Sequence, residues 1–146
     1  MAGTLFGKLT CLQCGQVNRV PQDRVSAGPK CGTCGAQLVS SKVVEVDLAT
    51  LKKAARTDDL PLVVDFWAPW CGPCRTMAPE FSKAAAALSG QARLVKLNTE
   101  DHPRAGAQYN IRGIPTMAVF AGGREQKRQS GAMPAASIVD WIKGAV

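Results

Sequence analysis

The stretch Leu62-Val63-Val64-Asp65-Phe66-Trp67-Ala68-Pro69-Trp70-Cys71-Gly72-Pro73-Cys74-Arg75 decides how the rest of the chain is read. Its first six residues form an apolar run of strand length, broken only by Asp65, and read as a buried strand. The residues after Pro73 read as a helix, which puts Cys71 at a helix N-terminus. Unpaired backbone N–H groups and the helix dipole favour negative charge there, so the Cys71 thiolate is stabilised and its pKa falls. A thiolate is the species that attacks a disulfide, and Cys74, one turn inside the helix, is placed to resolve the mixed disulfide. Pro73 suits the first helical turn because its missing N–H is one of the unpaired donors. Gly72 leaves room for a partner chain to approach. Two thiols at this spacing after a strand read as a redox pair.

Four more cysteines lie upstream, as Cys11-x-x-Cys14 and Cys31-x-x-Cys34 with sixteen residues between the pairs and Gly15 and Gly35 directly after each. This is zinc-ribbon spacing. Each pair forms a tight knuckle that aims two sulfurs at one metal, and two knuckles complete a tetrahedron with no open position, so the expected site is structural. The sole histidine is His102, so the ligand set is four thiolates. Mononuclear iron is the main chemical competitor of zinc, and a pair of structural disulfides is the metal-free alternative.

The 146 residues hold one ordinary core plus a small appendage that needs a metal to fold. The polar stretch Ser40-Ser41-Lys42 before Val43-Val44-Glu45-Val46 places the boundary at 42/43, giving units 1–42 and 43–146. A flexible hinge at that boundary, and metal loss that unfolds only the front, are the corresponding expectations. The formal charge is +7, about +5 with a divalent metal on four thiolates. Residues 1–42 carry five Lys/Arg against one Asp, the remainder thirteen Lys/Arg against ten Asp/Glu. With Phe6 the only aromatic upstream of residue 43, a nucleic-acid role is disfavoured. No leader-like or membrane-length apolar segment is present, and both thiol motifs require reducing conditions, so the expected location is the cytoplasm, off the membrane.

The remaining sequence alternates strands and helices: a strand near 43–46, a helix near 48–56, the strand 62–67, a helix over 73–88 containing Pro79, and a strand at 93–98. A short helix near 101–108, two strands around Gly122-Gly123 and a last helix from Pro134 complete it, with Ile138, Trp141 and Ile142 on a core-facing stripe. Asp65 is a candidate proton acceptor for Cys74, because a carboxylate buried in that strand has its pKa raised. The alternative is a solvent-facing Asp on an edge strand. No phosphate-cradling glycine loop is present, so the electrons for a turning-over reductase come from a partner.

The segment 64–75, with Pro79, Lys96, Ile111-Arg112-Gly113-Ile114-Pro115-Thr116, Gly122-Gly123 and Gly131, resembles the thioredoxin family, for which lowered cysteine pKa values are already known. With the four upstream cysteines, the whole chain is similar to the zinc-ribbon-containing second thioredoxins of bacteria. The resemblance implies an α/β thioredoxin fold, a central mixed sheet flanked by helices, preceded by a small zinc ribbon. It implies a protein-disulfide reductase that uses Cys71 and Cys74 and is re-reduced by an NADPH-dependent thioredoxin reductase, with no nucleotide or flavin on this chain. It places Lys96 on a strand beside Asp65, where it moderates the carboxyl; the alternative is a surface lysine. It implies a cis bond before Pro115, where a simple strand-edge proline is the alternative. A rim of Trp70, Gly72, Pro73, Ile114, Pro115 and Gly131 would receive protein substrates. Two other classes stay open: an oxidase or isomerase, and a ribbon that binds proteins or senses oxidation by losing its metal.

Overall fold

In the computed structural model, residues 6–145 are described, with the side chain of Phe6 outside that description. Two strands, β1 (Phe6–Thr10) and β2 (Val17–Pro21), form an antiparallel ribbon, followed by a 3-10 turn over Gln22–Ala27. A five-stranded sheet follows, in the order β3 (Val44–Glu45), β5 (Arg93–Asn98), β4 (Leu62–Trp67), β6 (Thr116–Ala121), β7 (Arg124–Ser130). Its helices are α1 (Leu48–Thr57), α2 (Gly72–Ala87), α3 (Arg104–Gln108) and α4 (Ala135–Lys143). The sheet is mixed: β4 runs parallel to β5 and antiparallel to β6.

β4 is central and covered on both faces, which is why it reads as a nearly unbroken apolar run. Alternation along the strand splits the core in two. Val64 and Phe66 pack with Leu51 and Ala54 of α1 and with Ala105 of α3, while Val63 packs with Met77 and Phe81 of α2 and with Ile138 and Ile142 of α4. Asp65 therefore shares the α2 side with Val63. Trp141 is half-buried at the edge of this second core, with the Lys127 ammonium over its ring.

Helix boundaries follow local chemistry. Asp47 caps α1 by accepting from the Thr50 N–H at 2.7 Å. Cys71 occupies the N-cap of α2, its sulfur accepting from the Cys74 N–H at 3.2 Å, and Pro73 lies in the first turn. Pro79 sits inside α2. At α4 the Ala135 N–H donates to Glu80 of α2 at 3.0 Å, tying the two helices together. The expected short helix begins at Arg104 rather than near 101.

The front of the chain is fastened to the body, against the expectation of a hinge. Lys8 and Asp59 exchange a pair of bonds, Lys8 N–H to the Asp59 carboxylate at 2.6 Å and Asp59 N–H to the Lys8 carbonyl at 2.9 Å. Thr10 N–H donates to Asp58 at 2.7 Å, and Asp58 also receives the buried Arg93 guanidinium at 2.5 Å. The Lys53 ammonium donates to the Gly15 carbonyl, and Leu60 packs onto the ribbon's own core of Leu9, Val20 and Leu38. Lys53 lies on α1, but Asp58, Asp59 and Leu60 stand just before β4 and Arg93 is the first residue of β5, whereas Cys71 follows the end of β4. A six-residue strand is about 17–20 Å long, so the ribbon and the cysteine pair lie at opposite ends of the sheet.

Candidate functional site

Cys71 and Cys74 are joined as a disulfide, with Cα atoms 5.2 Å apart. Both sulfurs are nearly buried, at 5% and 2% exposure for their residues, in a small apolar cluster with Ala68, Trp67 and Ile114. Trp70 beside them is 66% exposed, the one exposed large apolar side chain among the described residues. Gly72 and Pro73 are exposed as well. The Ile114–Pro115 peptide bond is cis, and the Ile114 carbonyl lies 3.7 Å from the Cys71 sulfur. Gly131, at φ +97°, donates its N–H to the Pro115 carbonyl at 2.9 Å. Trp70, Gly72 and Pro73 thus flank the cysteines in the chain, Ile114 packs against them, and Gly131 is tied to Pro115 on the far side of the cis bond.

Beneath it lies Asp65, 3% exposed, on the central strand rather than an edge. Lys96 is its register partner on β5. Among the described residues the Asp65 Oδ1 atom has no hydrogen-bond partner. Burial raises the carboxyl to about 7, with the Lys96 charge opposing the rise. A cavity of about 80 Å³ connects the two ends of this arrangement, lined by Asp65, Lys96, Trp67, Cys74, Ala78 and Phe81 among others. That volume admits water beside a polar group. In the sequence Trp67 looks like one more apolar strand residue, and no spacing signal marks it. In the fold it walls this cavity and carries the Lys96 ammonium 5.0 Å from its ring centroid.

At the ribbon, the two knuckles repeat one geometry. Cys11 N–H donates to Gln16 O and Gly15 N–H to Cys11 O, both at 2.8 Å; Cys31 N–H donates to Ala36 O at 2.8 Å and Gly35 N–H to Cys31 O at 2.9 Å. Gly15 and Gly35 have φ of +83° and +79°, which side chains resist. The four sulfurs lie within 4.8 Å of one another, with Cys11–Cys34 at 3.6 Å and Cys14–Cys31 at 3.7 Å. A tetrahedral ion with bonds of about 2.3 Å needs sulfurs about 3.8 Å apart, so the cluster fits a four-thiolate metal centre. At Cys31 the Cys34 N–H, the Asn18 amide and the Thr33 N–H hold the thiol down to about 6, whereas at Cys14, pushed up to about 12, and at Cys34, also raised, the Gln16 and Ala36 N–H groups are outweighed by burial and the neighbouring sulfurs.

The family model described as Thioredoxin matches residues 42–144. The chain belongs to the thioredoxin family. A second model, described as Thioredoxin 2, N-terminal, matches residues 10–36 and accounts for the ribbon. Thioredoxin C-3 of Corynebacterium nephridii is 34% identical over 134 residues, spanning 92% of this chain and 92% of the relative. Thioredoxin 1 of Nostoc sp. is 41% identical over 103 residues, 70% of this chain and 96% of the relative. Among solved structures, chloroplastic thioredoxin z aligns with a TM-score of 0.66 at 30% identity, over 71% of this chain and 94% of that one. With the Cys-x-x-Cys pair in place at the helix start, the thioredoxin chain is a thiol–disulfide oxidoreductase. No described helix is long and apolar enough to cross a membrane.

Proposed function

We propose that the chain reduces disulfides in other proteins, with residues 43–146 as the redox domain and residues 1–42 as a structural zinc ribbon. The Cys71 thiolate attacks a substrate disulfide, releasing one substrate thiolate and forming a mixed disulfide. Cys74 then attacks the Cys71 sulfur, expelling the second substrate thiolate and closing the Cys71–Cys74 disulfide. Two electrons pass to the substrate. An NADPH-dependent thioredoxin reductase returns them in the cytoplasm.

The single observation that carries this reading is the disulfide at the start of α2, set against the Ile114–Pro115 turn and backed by a buried carboxyl. Asp65 accepts the Cys74 proton through the cavity, and a value of about 7 suits that exchange near neutrality. Lys96 keeps the carboxyl from rising further. Trp70, Gly72, Pro73, Ile114, Pro115 and Gly131 supply the apolar, backbone-rich surface on which an extended substrate segment lies. The test is turnover of an insulin-type disulfide with NADPH and thioredoxin reductase. Loss of turnover in Cys71→Ser supports the reading, and absence of turnover in the intact protein overturns it.

The ribbon would be held by zinc through Cys11, Cys14, Cys31 and Cys34, whose geometry and donor set suit that ion. Zinc there closes the ribbon's fold and takes no part in the thiol exchange. Metal analysis of the purified chain checks this: one zinc per chain is expected on a four-thiolate site, and iron or none contradicts it.

A further inference from the structure

Arg19, Arg24 and Lys30 line one groove of about 310 Å³ on the ribbon, reached from three different segments: β2, the 3-10 turn and the lead-in to the second knuckle. Its remaining walls are apolar or neutral, with Val20, Pro29 and Leu38 beneath, and no acidic side chain lines it. Asp23, the ribbon's only acid, precedes Arg24 in the turn but stands outside the lining. Arg24 and Lys30 are exposed, and their side chains make no ion pair or hydrogen bond with the described residues. These two cations therefore form no ion pair that holds the ribbon together, and drawing like charges into one groove costs energy. Thiolate charge at Cys31, the next residue in the chain, would offset part of that cost at Lys30.

From this placement we propose that the groove is a docking site for an acidic, extended polypeptide segment of a partner protein. Carboxylates would meet Arg24 and Lys30, and small apolar side chains would rest over Val20, Pro29 and Leu38. The lining has no aromatic side chain on which a base could stack, which favours a peptide over single-stranded nucleic acid. The groove belongs to the ribbon, and the ribbon is fastened at the end of the sheet away from the disulfide. A partner held there leaves the Trp70 and Ile114 surface free, and raises its own effective concentration at the redox site.

The experiment titrates metal-loaded, full-length protein into a labelled peptide alternating Glu with Val and Ala at low salt, with a matching Gln peptide as control. Amide NMR shifts locate the contact. Binding of the Glu peptide alone, shifts centred on residues 18–21 and 27–30, and a loss of about tenfold or more in affinity in Arg24→Glu/Lys30→Glu support the proposal. Metal content and Cys71-dependent turnover of the variant confirm that it is folded. Binding unchanged by the charge reversal, shifts confined to the disulfide face, no binding at all, or tighter binding of a single-stranded oligonucleotide of equal charge would each overturn it. The readout is binding, so failure here leaves the disulfide-reductase reading standing.

Discussion

Asp65 and Lys96 face each other in register on adjacent parallel strands, yet the Asp65 Oδ1 atom lies buried without a hydrogen-bond partner among the described residues. Desolvation outweighs the lysine's attraction, and the carboxyl stands at about 7 instead of 3.8. The resolving step should therefore quicken as pH rises through about 7. Asp65→Asn should lose that inflection and slow the step by about a hundredfold, the lower end of the range for a general base. Stopped-flow kinetics of mixed-disulfide resolution from pH 5 to 9 checks it; an unchanged profile removes Asp65 from the mechanism.

The same carboxyl links stability to pH. Below 3.8 it is neutral both folded and unfolded; between 3.8 and about 7 the native state holds a proton that the unfolded chain has lost. Native stability thus falls as pH rises through that window and levels off above it. Above the window Asp65→Asn should be the more stable protein, by on the order of 4 kcal/mol, because the carboxyl rises from 3.8 to about 7 and each pKa unit corresponds to about 1.4 kcal/mol. Urea titrations at pH 5 and pH 8 give the comparison.

Lys96→Met should move the inflection of the first profile, where Asp65→Asn abolishes it. Removing the charge that opposes desolvation moves the carboxyl further up, so the inflection shifts above 7 without disappearing. It also strips the ammonium from the Trp67 ring. A pH profile that stays in place would show that Lys96 does not face the carboxyl in solution.

Glu80 of α2, which accepts from the first residue of α4, is held below the usual carboxylate range, first by the Ala135 N–H and then by Lys83. A lowered value means stability that is present at neutral pH and is lost as the carboxylate protonates in acid. Glu80→Gln should be modestly less stable at pH 7 and indistinguishable from the parent in acid below the carboxylate range. Thermal unfolding at the two pH values measures the difference.

Much of this was legible in the sequence because it is written locally. Cysteine spacing announced both thiol sites, and the alternation of apolar runs with turn residues placed the strands and helices of the body to within a few residues. The β1–β2 pairing and the fastening of the ribbon were not legible. Thr10 meets Asp58 across 48 positions and Arg93 meets Asp58 across 35, and neither contact leaves a periodic or spacing signal. Asp58-Asp59 looks like the end of a helix, which it is, and Ser40-Ser41-Lys42 looks like a hinge, because polar loops look alike whether or not the units they join are docked.

That fastening changes the expectation for metal loss. Burial pushes the Asp58 carboxyl up while Arg93 pulls it back, so the pair depends on its hydrogen bonds, one of which comes from Thr10 beside the metal ligand Cys11. Chelation should therefore lower the melting temperature of the body and speed amide exchange around Arg93, beyond unfolding the front. Asp58→Ala, which strands a buried guanidinium, should cost about 3–5 kcal/mol. A body whose melting is indifferent to chelation would restore the independent-appendage view.

The most direct test of the central claim traps the intermediate. Cys74→Ser protein with its metal bound is reacted with an oxidised protein substrate, and the adduct is digested and mapped by mass spectrometry. Attack by the sulfur at the start of α2 predicts one mixed disulfide per chain, at Cys71. An adduct through Cys14 or Cys34, the exposed ribbon thiols, or no adduct at all, would contradict it.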